Sequence, residues 1–353
     1  MKIRIPALVA AALALVPGAA SLASAQTPDS ILAVSYGGQS RFRVNIDGGA
    51  LFGGSYDGGS SSGGIAADGA GTRMLWYPQK AAFRAGYING TQWDDANIGY
   101  FSVAIGESVR ASGDHGIAFG LRSTAAGSST FAAGEDNTAS GAASVALGYH
   151  AHTNARQGSF VFADRSSVDT LRAGVNHSAN WRTSGGFRIF TSSNLSTGVT
   201  IQSGAVTSNW GQSGAVISTS TGAMLTTGGV WQNSSDVNRK HHFLDIGGED
   251  VLDRLRSVPI RSWSYKVEDS SIRHLGPTAQ DFHRAFGLGG SELSIGTVDA
   301  DGVALAGVQA LDRRTTEQNA EIAKLRSELA ASRAENRALS ERLARLEALI
   351  AKP

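Results

Sequence analysis

The sequence predicts a mainly β protein that ends in a C-terminal α+β module and a long helix. Three observations predict it. The 353 residues include 44 glycines but only 17% charged residues, a composition suited to thin, turn-rich β structure with small buried side chains. Glycine recurs in register every fourteen residues between Gly99 and Gly148. From Val308 to Ile350 apolar residues step by alternating threes and fours, which is the spacing of a helical seam.

At the N-terminus, Lys2 and Arg4 precede an apolar run from Ala7 to Val16 and the small residues Ala23-Ser24-Ala25. Residues 1–25 therefore read as an export signal removed before Gln26, which places the mature chain outside the bacterial cytoplasm, extracellular or at the cell surface. The run is short for a membrane span, and no later segment offers the roughly 20 apolar residues that one needs, so no transmembrane segment is expected in the mature chain. Cysteine is absent, so disulfides cannot stabilise the exported protein and oligomerisation is the expected substitute.

Residues 26–98 hold alternating stretches, Ile31–Tyr36 and Phe42–Ile46, and a glycine and serine cluster from Gly48 to Gly64. They predict short strands joined by a flexible segment. Trp76, Tyr77, Phe83, Tyr87 and Trp93 are expected to form a small core capping the next domain.

Residues 99–165 carry the repeat. Gly106, Gly120, Gly134 and Gly148 lie fourteen apart, as do Gly99, Gly113, Gly127 and Gly141. Each unit opens with a short strand: Val103-Ala-Ile, Ile117-Ala-Phe, Phe131-Ala-Ala, Val145-Ala-Leu. Strand periodicity puts the first and third residues on one face and alanine on the other. One unit cannot bury its apolar face alone and must stack on the next, and the period leaves room for two strands and two turns per coil. Residues 166–233 return to serine- and glycine-rich sequence with strand candidates at Phe187–Phe190, Gly198–Ile201 and Ala215–Ser218. This β-rich connector has too little apolar sequence to be buried by one chain, a need that an intertwined trimer meets.

Residues 234–310 differ in kind. Val251–Leu255 predicts a short helix, Ile260–Tyr265 a strand, and Ala279–Phe286 a second helix ended by Gly287. In residues 311–353, Ile322, Leu325, Leu329, Ser332, Asn336, Leu339, Leu343, Leu346 and Ile350 form a coiled-coil core. After Asp301 one helix is expected to run almost to the end; extended back through Leu311 and Val308, the same register gives a helix of about 45 residues, or roughly 70 Å. Such a seam requires partner helices.

The candidate chemistry lies where the connector meets this module. Ser235 and Lys240 stand five apart, and a serine hydroxyl becomes a nucleophile when a neutral lysine takes its proton. Arg239, His241 and His242 surround Lys240 with like charge, which together with burial favours the free amine.

Other chemistries fit less well. A formal charge of +1 and the lack of a basic arm argue against nucleic acid. The carboxylates a glycosidase would need, Asp94, Asp95, Glu107, Glu135 and Asp136, fall in turns. His150 and His152 lack a third ligand at useful spacing, so no metal is expected, and no cofactor is implied. The C-terminal seam occupies the place where a membrane-anchoring β-barrel would require alternating strands.

Two resemblances add to this reading. From Ser235 to about Leu311 the chain resembles the intramolecular chaperone domain of endosialidase tail spikes, a self-cleaving Ser-Lys peptidase family. The segments that carry it are Ser235-Asp236 with Lys240, Arg273-His-Leu-Gly-Pro-Thr-Ala-Gln-Asp281, and Thr297-Val-Asp-Ala-Asp-Gly-Val303. The family more usually places arginine three residues after the serine, where this chain has Asn238 followed by Arg239. Residues 99–165, with apolar-Ala-apolar-Gly followed by Ala-Ser-Gly, resemble the head of trimeric autotransporter adhesins of the YadA type, a left-handed parallel β-roll.

The first resemblance implies that Ser235 attacks the carbonyl of Ser234 with Lys240 as general base, and that His274, Gly276 and Gln280 position the reactants or stabilise the oxyanion. Both imply a homotrimer. The expected protein is thus a trimeric fibre whose C-terminal domain directs assembly and then cuts itself off between Ser234 and Ser235, with no action on external substrates. The alternatives are a fibre that keeps this domain as a permanent clamp, or a phage-derived tail fibre. A host-surface or glycan ligand for the head is left unassigned.

Overall fold

In the computed structural model, residues 30–59, 64–205 and 210–351 are described. The export-signal segment, residues 1–25, lies outside the described residues. The protein is β-rich with a long C-terminal helix. It divides into two compact units, the first comprising residues 1–220 and 224–230, the second 221–223 and 231–353.

The first unit opens with an antiparallel sheet of Ser30–Tyr36, Gln39–Asn45 and Ala50–Phe52. The tight turn of its first hairpin needs two left-handed residues, and Gly37 (φ 61°) and Gly38 (φ 77°) provide them. A second hairpin, Gly71–Tyr77 with Ala82–Ile88, starts a larger sheet. Val103–Glu107, Ile117–Leu121, Phe131–Glu135, Val145–Tyr149, Phe160–Ala163 and Ala179–Arg182 then add in parallel, one after another. Between these strands the chain visits a second parallel sheet of two-residue strands, among them Arg110–Ala111, Thr124–Ala125 and Thr138–Ala139. Each coil is thus two strands and two turns, as the period requires.

The stack reaches back to Ala82–Ile88 and forward to Ala179–Arg182, beyond the interval in which the repeat is legible. Val145 pairs with Phe160 and Phe160 with Ala179, so the added residues enter the turns and leave the ladder in register. Motif spacing is lost there, but strand pairing continues.

The interior is narrow. Ala104, Ala118, Ala132 and Ala146 of the long strands and Ala111, Ala125 and Ala139 of the short ones are fully buried between the two sheets. Val103, Ile117, Phe131 and Val145 point the other way and are half-buried, as are Phe119 and Leu147. The alternation therefore leaves an apolar outer face that the described residues cover only in part. Gly120 shows why the repeat units place glycine near the end of their long strands: its φ is 98°, and a Cβ there would lie 2.2 Å from the Gly134 carbonyl oxygen of the next coil. The aromatics do not form the single small core expected: Tyr77 is buried with Leu75, Ala82 and Ile98, Trp93 is buried in the core of the coil stack, and Trp76 and Tyr87 remain exposed because they alternate outward on their strands. Phe187–Phe190, Gly198–Ile201, Ala215–Thr219 and Met224–Thr226 follow as an antiparallel meander.

The second unit contains α1 (Gly248–Ser257), a two-stranded antiparallel sheet of Arg261–Trp263 and His274–Gly276, α2 (Ala279–Phe286) and α3 (Thr297–Ile350). Thr278 caps α2 by accepting from Asp281 N at 3.2 Å, and Gly287 ends it in the left-handed region. Val251, Phe282 and Val303 form the core, with Leu255, Phe286, Ile295 and Ala306 packed around them.

Helix α3 has 54 residues and begins at Thr297, ahead of the seam's legible start at Val308. The expected length of about 45 residues is therefore too short. The first turns of α3 are held by α1 rather than by a heptad partner: Val303, Gly307 and Ala310 are buried, and a Cβ on Gly307 would meet Leu255 Cδ1 at 2.9 Å. Beyond them Arg314 still pairs with Glu249 of α1, and from residue 315 onward the described part of the helix is exposed. Leu325, Leu329, Asn336, Leu339, Leu343, Leu346 and Ile350 are all exposed, as is Ile322.

Candidate active site

The segment before α1 folds into a single tight turn. Asp236 caps it, its carboxylate accepting from Asn238 N at 2.9 Å, and Val237–Arg239 form one 3-10 turn. Arg239 N donates to Asp236 O and Lys240 N to Val237 O, each at 3.1 Å. This reversal folds Lys240 back over Ser235, and Lys240 Nζ donates to Ser235 Oγ at 2.6 Å. The two residues that the sequence singles out are therefore in hydrogen-bond contact. Both are exposed in the single chain, so the burial expected around Lys240 is absent from one chain.

The neighbouring side chains are arranged around the same turn. Arg239 Nη1 donates to Ser234 Oγ at 3.1 Å. Asn233 Nδ2 donates to Thr297 Oγ1 at 3.2 Å, which ties the segment to the first residue of α3. Gly222, at φ 87°, packs against this group so closely that a Cβ would lie 2.6 Å from Arg239 Nη1 and 3.1 Å from Ser234 Cβ. His241 and His242 face each other, Nδ1 to Nδ1, at 2.8 Å.

His274, Gly276 and Gln280 lie elsewhere in the unit. His274 Nε2 is 3.0 Å from Glu268 Oε2, and its ring packs on Trp263 with centroids 4.7 Å apart. Gly276 pairs with Arg261 in the small sheet, and Gln280 is exposed at the start of α2. Among the described residues, no hydrogen bond joins any of the three to Ser235 or Lys240. His274 is thus bonded to Glu268, in the loop that joins the two strands of the small sheet.

Sequence reasoning missed Asn233, Arg239 as a partner of Ser234, and Gly222. Only Gly222 had a signal, the turn sequence Ser220-Thr-Gly-Ala223, and nothing in it pointed to this site.

With this geometry, the comparison with known families can be placed. Residues 235–288 match the family described as chaperone of endosialidase, a peptidase family. The match begins at Ser235 itself and runs through the turn, α1, the two-stranded sheet and α2. It leaves α3 and the whole of the first unit outside. No curated protein and no solved structure matches the chain.

Proposed function

We propose that the protein is an exported trimeric fibre whose C-terminal unit directs assembly and then severs itself before Ser235. The observation that carries this reading is the 2.6 Å contact of Lys240 Nζ with Ser235 Oγ, at the residue where the chaperone-of-endosialidase match begins. Lys240, as the free amine, takes the hydroxyl proton of Ser235. Oγ then adds to the Ser234 carbonyl carbon. The C–N bond of the Ser234–Ser235 peptide breaks, and the Ser235 nitrogen receives the proton from Lys240. An ester now joins Ser234 to Ser235 Oγ, and water hydrolyses it to a Ser234 carboxylate and a free amine on Ser235.

Two apolar surfaces support a trimer. Among the described residues the α3 seam is exposed and the outer face of the coil stack is only half-buried, and three copies supply a partner for both. The family match supports an assembly role for the C-terminal unit. Register is what assembly must control, since a one-residue slip turns every strand side chain to the other face. The head then takes the form of a β-roll in an adhesin-like fibre, and residues 1–25 direct export.

One observation favours a second reading, in which the C-terminal unit remains as a permanent clamp. Ser235 and Lys240 are open to water in the single chain, and a lysine serves as base only when its surroundings favour the free amine. Neighbouring chains must provide that cover. The two readings separate in Lys240→Met: sedimentation of the variant gives an uncut trimer while the native chain is cut if self-cleavage operates. Native and variant chains alike uncut leave the clamp.

A further inference from the structure

We infer that Arg239 is the positioning residue for the Ser234–Ser235 bond, holding Ser234 in place while Ser235 turns toward its carbonyl. This inference rests on the self-cleavage proposed above and assigns a role that neither the Ser-Lys pair nor the His274 segment provides.

A nucleophile attacking the peptide bond just before it meets a geometric difficulty. Its Cβ is joined through the Ser235 nitrogen to the carbon it must reach, so the peptide has to be held in one orientation relative to the hydroxyl. Lys240 fixes the hydroxyl. It does nothing for the carbonyl side.

Arg239 supplies that second constraint. Nη1 donates to Ser234 Oγ at 3.1 Å, so adjacent residues of one turn grip adjacent residues of the bond: Lys240 holds Ser235, and Arg239 holds Ser234. Among the described residues Arg239 has no carboxylate partner, so its charge is not neutralised beside the residue whose carbonyl becomes an oxyanion. Gly222 makes room for the grip, because any side chain there would enter the space of the guanidinium and of Ser234. On the other side of Ser234, Asn233 is bonded to Thr297, which restricts the chain entering the bond.

A guanidinium that merely decorates the surface would be indifferent to the Ser234 hydroxyl. The test is therefore a double-mutant cycle on full-length chains, with cleavage followed over time after a pulse of cell-free synthesis. Arg239→Ala and Ser234→Ala should each slow the cut by about tenfold or more, and the double variant should be no slower than the more impaired single one. Arg239→Lys, which keeps the charge and one donor, should recover part of the rate. In Arg239→Lys and Ser234→Ala, which keep the charge beside Lys240, the pH profile of the residual cleavage should keep its native shape, and sedimentation should still show trimers.

Cleavage of Arg239→Ala at the native rate overturns the inference. So does a double variant whose losses multiply. Either result leaves self-cleavage intact if the native chain is cut and Ser235→Ala is not. If Arg239→Ala fails to assemble, the comparison of Ser234→Ala with Arg239→Lys decides, since a native rate in both also overturns it. A native chain that is not cut at all overturns both readings together.

Discussion

Asn137 is the side chain on which the coil stack depends most directly. It is fully buried, although the fourteen-residue pattern has serine at the preceding equivalent position, Ser123, and alanine at the following one, Ala151. Its amide nitrogen donates to Ala133 O at 2.8 Å and to Gly148 O at 2.7 Å, and its oxygen accepts from Ala151 N at 2.8 Å. It thus joins its own coil to the next through two hydrogen bonds, to Gly148 and Ala151, and braces its own turn through a third, to Ala133. In Asn137→Ala the buried Ala151 N–H loses its acceptor, at about 1–3 kcal/mol, and the two donated bonds remove about 1 kcal/mol each. The total is about 3–5 kcal/mol per chain. For a unit of this size each kcal/mol lowers the melting temperature by about 2–4 °C, so a fall of roughly 6–20 °C is expected. Scanning calorimetry of the full-length protein at fixed protein concentration measures it. Asn137→Asp should be at least as harmful, because it turns a carboxylate toward two carbonyl oxygens, whereas Asn137→Ser should fall between. A shift below about 2 °C for Asn137→Ala, or a tolerated Asn137→Asp, would show that the amide does not staple the coils and would refute the reasoning.

Other expectations follow from the same structure. Gly120→Ala places a methyl 2.2 Å from a backbone carbonyl oxygen and should prevent folding of the first unit, whereas Gly229→Ala, at φ 80° with nothing within 4 Å, should cost only about 1 kcal/mol of backbone strain; soluble yield and melting temperature distinguish them. Leu343→Asp leaves a single helix unaffected, since the residue is exposed, but puts carboxylates in the seam of the proposed trimer; if that trimer forms, sedimentation should show its loss and gels a loss of cleavage. Acid should weaken the first unit. The hydrogen bond from Arg122 holds the Asp136 carboxyl below its ordinary value, and bonds from Ser166 and Ser184 do the same for Asp164 despite opposing desolvation. A depressed carboxylate stabilises the fold above its unfolded pKa of about 4 and loses that contribution as pH falls through the folded value. Melting temperature should therefore drop below about pH 4, and less so in Asp136→Asn.

What was legible in the sequence follows from which interactions are periodic or local. The coil strands of the repeat could be read because alanine points into a narrow interior and Gly106, Gly120, Gly134 and Gly148 sit near the ends of their long strands, which leaves a fixed spacing in the residues themselves. Helix α2 could be read to the residue because its limits, Thr278 and Gly287, are local caps. The start of α3 was legible only to within a few residues, after Asp301 rather than at Thr297, since Val303 and Ala310 pack against residues distant in sequence and obey no heptad. Arg84 was equally hidden. It is a fully buried arginine that donates to the carbonyls of Phe83, Ser102 and Ala111, and burial lowers it to about 10, yet it lies in a strand that reads as ordinary alternation. At the candidate site, Ser235 and Lys240 were visible because one turn joins them. The bonds of Arg239 to Ser234 and of Asn233 to Thr297 were not, because nothing in their spacing distinguishes them from surface polar residues.

The central claim is that this chain cuts itself at one bond using one hydroxyl. The direct measurement is the intact mass, under denaturing conditions, of the purified native protein and of Ser235→Ala. The account predicts that the native chain gives two fragments, one ending at Ser234 and the other running from Ser235 to Pro353, and that the variant gives a single uncut chain. A single uncut native chain, or a variant cut at the same bond, contradicts it.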